Sequence, residues 1–195
     1  MIRRKLINRQ GTRGFTLVEL MIVVAIVGVL AALAIYGVRK YMASAKSAEA
    51  RSSLGQIAKN ARIAFDRESG DVTVLAAGTA GEIRNQLCDN AAAKVPSDID
   101  DVKGKKYQSD PGEWRDGAGW ECLKFSLSGP QYYMYNYTAE NETADNGTFT
   151  ATAEGDLDGN GVASTFTLQG GVIKGEGDAL ELTIAPTIEE ENPDE

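Results

Sequence analysis

The chain has 195 residues, a formal net charge of −8 and no histidine. The missing histidine excludes Ser-His-Asp triads and histidine-based zinc sites, and the acidic balance argues against dedicated nucleic-acid binding, because acidic surfaces repel phosphate backbones. The charge is divided along the chain. Residues 1–67 carry 12 Lys and Arg against 3 acidic residues, a net of +9, and residues 68–195 carry 8 against 25, a net of −17.

An apolar segment of 24 residues, Phe15 to Val38, carries a single charge, at Glu19. At 1.5 Å per residue a helix of this length crosses the hydrocarbon core of a bilayer. We therefore expect residues 15–38 to form a transmembrane helix. The basic residues before it have no acidic partner and place the N-terminus in the cytoplasm, so the acidic part is exported; they are Arg3, Arg4, Lys5, Arg9 and Arg13.

A secretory signal peptide is the alternative interpretation of this segment. Its apolar core is shorter, and its small-residue cleavage site follows that core. Here the small residue, Gly14, precedes the apolar run, and Glu19 lies within it. A carboxylate in hydrocarbon needs a partner or a proton, because its transfer from water is costly.

The octapeptide Arg13-Gly14-Phe15-Thr16-Leu17-Val18-Glu19-Leu20 resembles the processing site of type IV prepilins and type II secretion pseudopilins. The resemblance covers residues 11 to about 67. It implies that a prepilin peptidase cuts after Gly14, so that residues 1–14 are a leader peptide, and that Phe15 becomes the N-methylated first residue. It also implies an inner-membrane precursor that the pilus assembly machinery builds into a homo-oligomeric helical filament, the extracellular pilus.

A filament gives Gly14 and Glu19 physical roles. Gly14 has no side chain and lets a protease approach the backbone closely. After cleavage the ammonium of Phe15 can lie beside Glu19 of a neighbouring subunit and neutralise two charges that are costly alone in a dry core. We expect Glu19 to select the register of the incoming subunit, the alternative being a protonated glutamate without a special role.

Catalysis is not expected. The alternatives to a pilus subunit are a type II secretion pseudopilin, a minor pilin, and a membrane-tethered binding module or enzyme that never polymerises. The filament would serve twitching motility, adhesion, DNA uptake or secretion, depending on its motors and partners.

Two glycines interrupt the apolar helix. Type IV pilins commonly have a proline where this chain has Tyr36, and the only breakers here are Gly28 and Gly37, each costing about 1 kcal/mol relative to alanine. They mark either local melting of the helix in the filament or close packing between helices, and close packing is favoured.

The helix is predicted to continue to about Glu68, because residues 40–67 contain no proline and are rich in helix-forming residues. In this amphipathic half, residues 39–68, apolar side chains recur at spacings of three and four and can bury against a sheet; they are Leu54, Ile57, Ala58, Ala61 and Phe65. The predicted fold class is α+β: a long N-terminal helix, half transmembrane and half amphipathic, packed on an antiparallel β-sheet in a head formed by residues 69–195.

Within the head, residues 70–119 are predicted to connect the helix to the sheet, with a short helix near residues 80–92. From Trp120 the pattern has a period of two and predicts antiparallel strands at 120–127, 131–138, 147–153, 162–168 and 179–185. Tyrosines alternate in the second strand and are interpreted as packing residues rather than an adhesive or electron-carrying surface; they are Tyr132, Tyr133, Tyr135 and Tyr137. Residues 189–195 are predicted to be a solvated acidic tail.

Cys88 and Cys122 are the only cysteines, and in an exported domain we expect them to form a disulfide rather than two buried thiols.

Asp156, Asp158 and Asn160 place oxygen ligands at alternate positions before Gly161, as in the first half of an EF-hand loop, and suggest a Ca²⁺ site. The place of the bidentate glutamate holds Thr167, so a tight hairpin turn is the favoured alternative. No other cofactor is expected.

Overall fold

The protein is described from a computed structural model, which covers residues 14–67, 69–70, 83–140, 146–175, 179–193 and 195. The chain divides into two units, residues 1–41 and residues 42–195, and one helix, α1 (Leu17–Phe65), contributes to both. Residues 1–13 of the predicted leader lie outside the described residues, and so do Glu68 and residues 80–82.

In the first unit, α1 is long and apolar enough to cross a membrane. Its large apolar side chains are all exposed, from Leu17 at 75% to Val38 at 58%. Gly28 and Gly37 lie within the continuous helix, and a Cβ added to either would meet nothing within 4 Å. An apolar surface of this extent is stable only in a bilayer or against other apolar helices.

In the second unit, α1 buries one face against the head. The buried positions recur at spacings of three and four and include all five residues of the predicted stripe; they are Ser47, Ala50, Ser53, Leu54, Ile57, Ala58, Ala61, Ala64 and Phe65. The helix ends at Phe65, where the amide of Asp66 still donates to the carbonyl of Arg62 and the chain turns towards β1 (Ser69–Gly70).

The described part of the head contains two antiparallel sheets, a small one in which β1 pairs with residues 83–84 and a main sheet of five strands. The strands of the main sheet are β3 (Met134–Glu140), β4 (Thr148–Gly155), β5 (Ser164–Lys174), β6 (Leu180–Ile184) and β7 (Glu189–Glu191). In the main sheet, β3, β4, β5 and β6 are neighbours in that order, and β7 pairs with β5 on the same side as β6. Alternate residues face α1, among them Tyr135, Ala153 and Phe166. The predicted α+β class, with a long helix on an antiparallel sheet, is confirmed.

The strand predicted at 120–127 is wrong, because residues 118–123 form a short helix, α2 (Ala118–Leu123). Trp120 and Leu123 are three apart and both fully buried, which is the spacing of one helical face. Lys124 then ends the helix in the left-handed conformation, with φ of 52°.

The short helix predicted near residues 80–92 is absent from the described part of that segment. Residues 83–84 form β2 (Ile83–Arg84), paired with β1, and the following backbone adds to the edge of β3. The amides of Ala91 and Val95 donate to the carbonyls of Tyr137 and Tyr135, both at 2.9 Å. Bonding to the sheet edge thus satisfies backbone groups that a local helix would have used.

The predicted solvated tail is partly wrong. Glu189–Glu191 have exposed side chains, as expected, but their backbone forms β7 against Thr165–Thr167 of β5. Charge density predicts solvation of the side chains and carries no information on backbone pairing.

The interpretation of the tyrosines as packing residues is confirmed for Tyr133, Tyr135 and Tyr137, which are fully buried. Tyr135 and Tyr137 lie on the inner face of β3, and Tyr133 directly precedes that strand. The ring of Tyr133 meets Phe166 edge-on at 5.6 Å, and Tyr137 stacks on Phe149 at 5.6 Å. Aromatic pairs at these distances supply much of the core between the sheet and α1.

Candidate processing and assembly site

Reciprocal hydrogen bonds between Thr16 and Glu19 open α1. The amide and the hydroxyl of Thr16 donate to Oε2 of Glu19 at 2.9 and 2.8 Å, and the amide of Glu19 donates to Oγ1 of Thr16 at 3.2 Å. This is a capping box, which satisfies amides that the first helical turn leaves without partners. The pattern Thr-x-x-Glu before an apolar run is the sequence signature of this box. Glu19 therefore caps the helix in addition to placing a charge in the apolar segment, and the capping was not predicted from the sequence.

The cap holds the Glu19 carboxylate in one orientation. Both bonds from Thr16 reach Oε2, and within the described residues Oε1 accepts none. The N-terminal end of a helix also favours a negative charge through the helix dipole. The chain thus presents one occupied and one open carboxylate oxygen at the start of the apolar helix.

The predicted cleavage position lies directly before this cap, outside the helix. Gly14 and Phe15 are both exposed, with Phe15 at 77%, and a Cβ added to Gly14 would meet nothing within 4 Å. Gly14, Phe15 and Glu19 therefore lie together around one turn of chain, with an accessible peptide bond between the first two.

The predicted disulfide is confirmed: Cys88 and Cys122 are bonded, with their Cα atoms 5.7 Å apart and a sequence separation of 34. It joins α2 to the segment that covers the edge of β3. The indole of Trp120 adds a second tie, donating to the carbonyl of Ala93 at 3.0 Å.

The loop between β4 and β5 contains the predicted calcium ligands and has the geometry of a tight turn. The buried carboxylate of Asp156 accepts the amides of Gly159 and Gly161 at 2.7 and 2.8 Å, and both glycines have positive φ. The side-chain amide of Asn160 donates to Asp158 at 3.1 Å. Across the described ranges, three or more His, Cys, Asp or Glu nowhere gather as a metal site would require. Calcium binding at this loop stays a prediction.

Two polar contacts attach α1 to opposite ends of the sheet. On the β3 side, Oε1 of Glu49 accepts the amide of Tyr132 at 2.9 Å and the hydroxyl of Tyr135 at 3.1 Å. Burial raises the pKa of the Glu49 carboxyl, and these hydrogen bonds oppose that rise. On the β7 side, Arg51 forms an ion pair with Glu190 at 2.6 Å. Sequence reasoning missed both contacts, because they join residues more than 80 positions apart.

These features define a protein with a membrane-type N-terminal helix, a capped glutamate at its start and an α+β head. Residues 9–35 match the family model of the prokaryotic N-terminal methylation motif. The fimbrial protein EcpC of Eikenella corrodens is 32% identical over 136 residues, which cover 58% of this chain and 84% of the relative. The chain belongs to the type IV pilin family.

Two further relatives match over shorter stretches. A type IV major fimbrial protein FimA of Dichelobacter nodosus is 42% identical over 74 residues, 38% of this chain and 45% of the relative. The type IV major pilin protein PilA of Myxococcus xanthus is 60% identical over 42 residues, 22% of this chain and 19% of the relative. The chain thus spans less than half the length of these two relatives. No solved structure matches it.

Proposed function

We propose that this protein is the structural subunit of a type IV pilus, cleaved after Gly14, N-methylated at Phe15 and assembled into a homo-oligomeric helical filament. The observation that carries the proposal is the apolar part of α1, whose large apolar side chains are exposed from Leu17 to Val38. Such a helix needs a bilayer before assembly and the helices of other subunits afterwards. The precursor would accordingly reside in the inner membrane and the assembled subunit in an extracellular pilus.

Processing by a prepilin peptidase is supported by the exposed Gly14–Phe15 bond and by the methylation motif over residues 9–35. Cutting there leaves a new ammonium on Phe15, one residue before the Thr16–Glu19 cap. The inner-membrane assembly machinery would then add the cut subunit to the filament.

Glu19 would pair with the Phe15 ammonium of a neighbouring subunit. The cap supports this role, because Thr16 holds Oε2 and leaves Oε1 open among the described residues. A second copy that supplies an ammonium neutralises both charges, so correct register is favoured over any arrangement that buries either alone.

Intact-mass analysis of protein from sheared filaments of the native organism tests the proposal. We expect a chain that begins at Phe15 and is one methyl group heavier than the unmodified peptide. An uncut chain found only in the inner membrane would contradict it. A cut chain that remains with the cells after shearing would instead identify a periplasmic pseudopilus.

The role of Glu19 is tested separately with Glu19→Ala and the matched neighbour Val18→Ala. We expect Glu19→Ala to be cleaved and inserted but to enter filaments poorly, while Val18→Ala assembles normally. Assembly of Glu19→Ala at the normal rate would refute the pairing and leave the processing proposal intact.

A further inference from the structure

One flank of the head carries two ammonium groups around a single ring. Nζ of Lys46 lies 5.0 Å from the centroid of Tyr132, and Nζ of Lys106 lies 4.7 Å from it. Neither lysine forms an ion pair with a carboxylate of the described residues. The nearby carboxylate of Glu49 is half-buried and accepts hydrogen bonds from Tyr132 and Tyr135. We call Lys46, Lys106 and Tyr132 the basic flank.

Lys106 attracts the Glu49 carboxylate electrostatically, but no carboxylate of the described residues lies within ion-pair distance of either ammonium group. Lys103 and Lys105 are exposed in the same loop, and Asp100 and Asp101 lie in the 3-10 helix (Ile99–Asp101) just before it. Asp98 is engaged in capping that helix, accepting the amide of Asp100 at 3.0 Å.

The other flank is strand β7. Glu190 points towards α1 and binds Arg51, so the alternation of the strand places Glu189 and Glu191 on the opposite face. Both are exposed, and within the described part of the chain their carboxylates have no hydrogen-bond or ion-pair partner. We call Glu189 and Glu191 the acidic flank.

The two flanks lie on opposite sides of α1 at the same level of the helix. Tyr132 lies two residues before β3, at one end of the sheet order, and β7 lies beyond β5 at the other end. Lys46 and Glu49 reach the first side and Arg51 the second, all within about one and a half helical turns. Each copy therefore presents opposite charges on opposite sides.

We propose that the basic flank of one subunit binds the acidic flank of the next, with Lys46 and Lys106 pairing with Glu189 and Glu191 of a second copy. This inference rests on the proposed filament. A filament requires a heterologous contact, in which two different and complementary patches meet and the arrangement does not close. Charge complementarity of this kind sets register and rejects wrong orientations, because like charges then face each other.

Charge reversal and exchange test the contact in the full-length chain, expressed in the native organism without the wild-type copy. We expect Lys46→Glu with Lys106→Glu, and separately Glu189→Lys with Glu191→Lys, to lower the yield of sheared filaments about tenfold, because each contact then juxtaposes like charges. The chain with all four changes regains most of the yield. Lys124→Glu and Glu140→Lys, exposed charges away from both flanks, are the matched controls and assemble normally.

Cross-linking of wild-type filaments tests the contact without any variant. A zero-length carbodiimide should produce dimers stable in detergent, in which Lys46 or Lys106 is joined to Glu189 or Glu191. Salt of about 0.5 M during the reaction should reduce the yield, since it screens exposed charges. Filaments that form normally in both reversed variants, or whose linked peptides never include these pairs, overturn the contact and leave the pilus assignment standing. If the wild-type protein forms no filament, both the contact and the pilus assignment are overturned.

Discussion

Arg51 donates a hydrogen bond to each carboxylate oxygen of Glu190, from Nε at 2.6 Å and from Nη2 at 2.9 Å. The same guanidinium lies 5.1 Å from the ring of Phe166 on β5. This one side chain of α1 thus binds the last strand and covers a core aromatic ring. The position of β7 therefore depends on α1 as well as on the backbone pairing of β7 with β5.

Arg51→Gln should loosen β7 without unfolding the head. The two side chains are 36% and 30% exposed, so we expect a loss of only about 0.5–1 kcal/mol. Amide exchange at residues 189–191 should accelerate, while β4 stays protected. Lys59→Gln, at an exposed position of α1, is the control. Unchanged exchange in β7 would mean that its backbone pairing alone holds it.

The same ion pair should make β7 sensitive to acid. The hydrogen bond from Arg51 holds the pKa of Glu190 below its usual value of 4.5. A lowered folded-state pKa contributes stability above pH 4.5 that is lost as the pH falls through the folded value. The protection of the amides of residues 189–191, measured relative to their intrinsic exchange rates at each pH, should therefore decrease below pH 4.5 in the wild type, and Arg51→Gln should remove that dependence. Equal dependence in both proteins would contradict the assignment.

The contribution of Glu49 to stability should depend on pH in the opposite sense to that of Glu190. Burial raises its pKa above the usual 4.5, so the folded state binds a proton more tightly than the unfolded state. Its contribution to the free energy of unfolding should thus increase as the pH falls through the raised value towards 4.5. Glu49→Gln keeps a carbonyl acceptor for Tyr132 and should flatten this part of the profile, measured by urea unfolding between pH 7 and about 4.5. Glu121→Gln, an exposed position, should leave the profile unchanged.

Removing the disulfide should destabilise the head strongly. Cys88 and Cys122 close a loop with a sequence separation of 34, for which chain entropy predicts about 4 kcal/mol. Cys88→Ser with Cys122→Ser should therefore lower the midpoint of thermal unfolding, and dithiothreitol should do the same to the wild type but not to the variant. A variant as stable as the oxidised wild type would show that contacts such as Trp120 to Ala93 suffice.

Gly170 and Gly171 form a matched pair in β5. A Cβ on Gly170 would overlap the ring of Phe149 across the strand pair, whereas on Gly171 its nearest contact would be Thr148 Cγ2 at 3.8 Å. Gly170→Ala should cost about 1–3 kcal/mol through overpacking, and Gly171→Ala should be neutral or slightly stabilising. Chemical unfolding of the two variants tests this difference, and equal stabilities would contradict it.

The parts of the fold that the sequence predicted correctly are those with a regular period. The buried face of α1, including Leu54, Ile57 and Phe65, follows the helical repeat, and β3 to β6 follow alternation. The misassigned segment around Cys88 and Trp120 has no such period, because the disulfide, an indole hydrogen bond and pairing at the edge of β3 determine its shape. Those constraints join distant residues and leave little local signal.

The candidate site divides in the same way. Gly14, Phe15 and Glu19 stay predicted site residues, which the sequence can suggest because their motif is contiguous, and the same stretch carries the sequence signature of the Thr16 cap. Arg51, Glu49 and Tyr132 could not have been paired from sequence, because each contact depends on how α1 lies across the sheet.

The buried stripe of α1 begins at Ser47, whereas the large apolar residues from Leu17 to Met42 are exposed. Different neighbours therefore constrain the two stretches: other molecules or lipid act on the first and the chain's own head on the second. Substitutions in the first stretch should therefore leave the melting temperature of the head unchanged. A lineage, or an engineer, can thus replace the displayed head and retain the same anchoring stretch, provided that the residues from Ser47 to Phe65 change together with the sheet they contact.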